Sequence, residues 1–155
     1  MGFPGAAGRL PAECATIGQV LQDNGYSTFW IGKNHNVPEE DVSSGGSKSE
    51  WPLQKGFDRF YGFLGGETSQ YEPALYDQTT PVEPYVGRED YHLTEDLADK
   101  AIEWIRLQKT SAPDKPFFTY FAPGAAHCPH HVWPEWSDRF KGQFDDGWDA
   151  LRQKT

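Results

Sequence analysis

Cysteine is scarce in this chain: Cys14 and Cys128 are the only two in 155 residues. They form no C-x-x-C pair or other spaced metal or redox motif, so a disulfide-built or zinc-ribbon scaffold is excluded. A bridge between them cannot be argued from sequence, because disulfides demand a specific geometry. Positive charge is also short, with 14 Lys and Arg against 23 Asp and Glu, a formal net charge of −9. That excludes a general nucleic-acid or anionic-membrane binder, which needs clustered cations against phosphates. Any anion site must be local, built where one lysine, a few histidines and backbone amides converge. No apolar run approaches the roughly 18 residues of a membrane span, and Met1-Gly2-Phe3-Pro4 lacks the basic and apolar regions of a signal peptide. The chain therefore reads as having no membrane span and no address of its own, and its localisation is left open.

Aromatic and turn-forming residues are abundant. The composition is 37% hydrophobic and 15% aromatic, with 16 glycines and 12 prolines. That describes one folded unit of short elements and long loops rather than a disordered chain. Gly2 to Glu13 reads as loop. A helix is predicted next, capped by Thr16 with Gln19 in a capping box, with Ile17, Val20 and Leu21 as its apolar face and Gly25 as its stop. The apolar, β-branched run Tyr26 to Ile31 predicts a strand. Asn36 to Glu50, centred on Ser43-Ser44-Gly45-Gly46-Ser47, predicts a mobile loop. Trp51 to Gly66 predicts short extended pieces, and Glu67 to Glu89 a long irregular connection with three prolines.

The clearest helix is predicted over Leu93 to Gln108, with Leu93, Leu97, Ala98, Ala101, Ile102 and Ile105 at helical spacing and Thr94 as cap. Phe117 to Phe121 predicts a strand covered on both faces. The aromatic-rich remainder predicts a loop followed by a helix. Helix, glycine turn, strand and polar loop is the order of an α/β protein, whose functional groups gather at the carboxyl ends of strands.

Two strand ends deliver the chemistry. Gly32-Lys33-Asn34-His35 follows the first strand, and strand alternation puts the lysine and the imidazole on one side. Ala122-Pro123-Gly124-Ala125-Ala126-His127 follows the second, so Lys33, His35 and His127 are candidates for one anion grip. A lysine-x-histidine alone is more often a solvent lysine and a satisfied histidine; the second histidine-bearing strand end is what raises it. His127, Cys128, His130 and His131 also suggest zinc. That signal is weak, because Pro129 breaks helical spacing and adjacent histidines point apart. Asp23-Asn24-Gly25 reads as a helix stop, and Asp145-Asp146 as a solvated acidic pair, so no metal ligands are assigned.

The ordered set Gly25-Tyr26-Ser27-Thr28, Gly32-Lys33-Asn34-His35, Gly56-Phe57-Asp58, Thr94 to Ile105 and His127-Cys128-Pro129 resembles the sulfatases of the alkaline phosphatase superfamily. The resemblance covers most of the chain. It implies an α/β, partial alkaline-phosphatase-like sheet with flanking helices and long loops. It further implies that Lys33 and His127 bind the sulfate and that His35 sits beside the nucleophile. A parent enzyme of this kind cleaves a sulfate ester, using formylglycine and a calcium or magnesium ion.

Neither cysteine lies in the Cys/Ser-x-Pro-x-Arg motif that becomes formylglycine, and Asn34 stands where the family commonly has a bulky residue. The chain thus looks like an internal piece, residues 1–155 as a single unit, without the nucleophile motif or metal-ligand segments. It is expected to bind no cofactor and to be inactive alone. Phosphoester or phosphonate hydrolysis is the rival reading within the superfamily, and a non-catalytic anion- or partner-binding module the rival outside it. A truncated sheet would also expose edges that favour self-association.

Overall fold

The computed structural model describes residues 8–155. Five strands form one sheet in the order β4-β3-β2-β1-β5, with β1 at Ser27–Asn34, β2 at Arg59–Leu64, β3 at Leu75–Asp77, β4 at Thr80–Val82 and β5 at Phe117–Ala122. β1 pairs in parallel with both β2 and β5, while β3 and β4 continue the sheet antiparallel. Helices α1 (Ile17–Asp23), α2 (Leu93–Ser111), α3 (Pro134–Ser137) and α4 (Trp148–Lys154) complete the chain. The α/β class is as expected, and the parallel trio places three strand ends on one edge.

Alternation along β1 and β2 divides the core into two layers. Phe29, Ile31, Tyr61 and Phe63 face α2 and pack with Leu93, Leu97 and Trp104. Phe60 and Leu64 face the other way, against Val37 and Trp51, with Trp30 packed alongside. Burying a large side chain contributes about 1.5–3 kcal/mol, so these two layers hold the sheet.

Several expectations change. The first strand runs on through Gly32-Lys33-Asn34, so the lysine lies inside the strand and His35 just past its end. Gly32 takes φ +108°, and a Cβ there would run into the Ala122 carbonyl. Only glycine permits both this backbone and the close approach of β5. Thr16 does cap α1, accepting from Gln19 N at 3.1 Å, but the Gln19 amide turns to Asp23, leaving half a capping box. Ile17 and Val20 remain 59% and 50% exposed, because α1 approaches the sheet through Gly18 against the Phe57 ring.

The polar 36–50 segment is pinned rather than loose. Asp41 is buried, pairs with Arg9 and accepts from Ser47 N, while the Lys48 ammonium binds three carbonyls of the same loop. The 67–89 connection contains the β3–β4 hairpin, with Pro81 tolerated on the sheet edge. His92, not Thr94, caps α2: its Nδ1 accepts from Thr94 N, and the helix continues to Ser111. β5 is an edge strand, with Tyr120 and Phe121 about two-fifths exposed, so its apolar run is not covered on both faces. The reading of residues 1–7 lies outside the described residues.

Candidate active site

Asn34 pairs with Leu64, so β1 and β2 finish level, while β5 ends two residues earlier, where Ala122 pairs with Gly32. Their following loops therefore share one edge, the position at which α/β sheets hold ligands. Lys33 sits half-buried near the end of β1. β2 runs into Gly65-Gly66-Glu67, and β5 into the loop carrying His127 and Cys128.

Those last two loops meet. The Cys128 thiol donates to Glu67 Oε2 at 2.8 Å, and His127 Nδ1 lies 3.5 Å from both that oxygen and the sulfur. The hydrogen bond to Glu67 pushes the Cys128 thiol above its ordinary range, with desolvation and the carboxylate's charge adding to the effect. The Lys33 ammonium opposes that shift. His127 Nδ1 also lies 2.9 Å from the Cys128 carbonyl, and Nε2 makes no hydrogen bond among the described residues. A ring held at one nitrogen presents the other to a ligand.

His35 approaches from the other side of the β2 loop. It is exposed, and its ring lies where a Gly66 side chain would be, lining a cleft of about 570 Å³ with Val37, Glu39, Glu40 and Leu64. Among the described residues no hydrogen bond or ion pair joins it to Lys33 or His127. The structure thus sets Lys33 near the end of β1, His127 on the loop after β5, and His35 beside the stem of the Glu67 loop. Asn34, between Lys33 and His35, is buried and its Oδ1 accepts from Asn36 N.

A second cavity, of about 470 Å³, opens beside His127 and is lined by Gln70, His92, His131, Trp133 and Trp136. His131 stacks on Tyr71 at 4.9 Å and accepts from Gln70 N, which removes it from the suggested zinc set. Glu67 was missed by motif reading. Its signal was present: a glycine pair and a carboxylate directly after an apolar strand, the same arrangement as Gly32-Lys33.

The other acidic look-alikes do not form a cation site. Asp23 accepts from Gln19, Asn24 bonds back to the Val20 carbonyl, and Asp146 pairs with Lys154 at the surface. Calcium and magnesium require several oxygen donors. The three-donor cluster here, Glu67 with His127 and Cys128, offers a single carboxylate, and so does not fit either ion.

The model of the sulfatase family matches residues 2–155. The chain belongs to the sulfatase family. It is similar to an arylsulfatase of Klebsiella aerogenes, 29% identical over 94% of this chain and 31% of that protein. It is also similar to the uncharacterized sulfatase YdeN of Escherichia coli K12, 31% identical over 89% of this chain and 26% of that one. The solved structure of Ps i-CgsB shares its fold with a TM-score of 0.69 at 23% identity, over 88% of this chain and 32% of that one. This sulfatase chain therefore spans less than a third of the length of these relatives.

Proposed function

We propose that this chain forms one wall of the active site of a sulfuric ester hydrolase, with Lys33 and His127 gripping the sulfate and His35 beside them. The observation that carries the reading is the parallel alignment of β1, β2 and β5, whose carboxyl ends share one edge of the sheet, so that Lys33 and the His127 loop leave it from neighbouring strands. Cleaving a sulfate ester breaks a sulfur–oxygen bond and leaves negative charge on the departing oxygen. A fixed ammonium and an imidazole donor stabilise that charge more in the transition state than in the ground state. His127 donates Nδ1–H to the Cys128 carbonyl, and with the ring carrying both protons its Nε2–H is offered for this purpose. Glu67 is a positioning residue that holds the loop by accepting from Cys128.

Formylglycine and calcium or magnesium belong to this reading as groups of the whole enzyme. They would supply the nucleophile and neutralise sulfate charge, and no donor set among the described residues fits the ion. The 155 residues act as one internal unit, and the isolated chain should show negligible turnover. The exposed β5 edge supports self-association of the isolated chain, which light scattering would measure. Among the described residues no helix is long and apolar enough to cross a membrane.

The test is kinetic. In the whole enzyme, Lys33→Ala and His127→Ala should each lower kcat/KM for an aryl sulfate by about 10²–10³-fold. Wild-type turnover of the matching phosphate ester should be much the weaker. Unchanged sulfate hydrolysis in both variants would overturn the assignment, and dominant phosphate hydrolysis would move it to a phosphoesterase.

A further inference from the structure

We propose that Cys128, His127 and Glu67 form a binding site for a soft divalent metal ion such as zinc, separate from any calcium or magnesium site. The three donor atoms come from two loops about sixty residues apart and lie within 4.8 Å of one another. Their spacings are 3.5 Å from nitrogen to oxygen, 3.5 Å from nitrogen to sulfur, and 2.8 Å from sulfur to oxygen. Zinc bond lengths in a tetrahedron require donor edges of about 3.4–3.6 Å. Two edges already match, and the third is short because a thiol proton bridges it.

Metal binding replaces that proton. The thiol releases H⁺ to solvent, the sulfur binds the ion, and the sulfur–oxygen edge opens by less than about 1 Å. Nδ1 gives up its contact with the Cys128 carbonyl and the ring carries its proton on Nε2. Thiolate and imidazole select zinc over the hard, oxygen-seeking cations. Three protein donors leave the fourth position open to water, and exposure of all three residues gives the ion a path in. His130 and His131, adjacent in sequence, take no part: His131 is committed to Tyr71 and Gln70.

The test uses the intact reduced chain and cobalt(II) as a spectroscopic probe. One cobalt per chain should produce a thiolate-to-cobalt charge-transfer band, bleached by one equivalent of zinc. Cys128→Ser should abolish the band, and Glu67→Gln should weaken zinc binding about 10–100-fold. Cys14→Ser and His130→Ala should change neither. Absence of a saturable band, or a band that survives Cys128→Ser or depends on Cys14, would overturn the site, while leaving the sulfate reading untouched.

Discussion

β1 and β5 are both apolar strands that end in a functional loop, yet one is the centre of the sheet and the other its edge. β1 reads Ser-Thr-Phe-Trp-Ile-Gly-Lys-Asn and is buried along most of its length. β5 reads Phe-Phe-Thr-Tyr-Phe-Ala, is more apolar, and has no buried residue. The difference lies in partners rather than composition. β1 has a strand on each side and a packed layer on each face, whereas β5 has one neighbour and leaves Tyr120 and Phe121 open. The lysine therefore stands on a rigid support, and His127 on a loop that depends on Glu67 for its position.

The largest expected contrast is in packing. Phe60→Ala, in the layer beneath β1 and β2, should lower stability by about 3–5 kcal/mol. Phe121→Ser on β5 should stay within about 0.5 kcal/mol and reduce self-association. Paired denaturant titrations measure both, and equal losses would erase the distinction between centre and edge. Gly32→Ala attacks the join between the two strands. Its positive φ and the clash with the Ala122 carbonyl should together cost roughly 2–4 kcal/mol.

A smaller effect belongs to the β2 and α2 side alone. The Tyr61 and Tyr91 hydroxyls both donate to Asp96 Oδ2, at 2.6 and 2.9 Å. Burial first, and the Asp96 carboxylate next, push both phenols well above their ordinary value. In the unfolded chain they ionise near pH 10. Above that pH the unfolded state binds fewer protons than the folded one, so stability is held below about pH 10 and falls as pH rises. Alkaline denaturation of Tyr61→Phe and Tyr91→Phe should show a flatter fall than wild type. A wild-type curve with no alkaline loss would contradict the burial of these hydroxyls as a source of stability.

Much of this was readable from local pattern. The helix over Leu93, the two parallel strands and the candidate residues Lys33 and His127 follow from periodicity and strand-end grammar. The β3–β4 hairpin was hidden because its strands are three residues each, too short for alternation to register. The edge position of β5 was hidden because an apolar run does not reveal how many neighbours will cover it. The loop over 36–50 read as mobile from its serines and glycines, although Asp41 and Lys48 organise it through backbone contacts. Glu67 went unseen because its partners, His127 and Cys128, are about sixty residues away in sequence.

The central claim is that Lys33 and His127 grip one anion from two different strand ends. The most direct measurement is a sulfate titration followed by NMR at the Lys33 side-chain and His127 ring signals. Both should shift along one saturation curve, and Lys33→Ala should remove the His127 response. Separate saturation curves, or a His127 response that persists without Lys33, would contradict the claim.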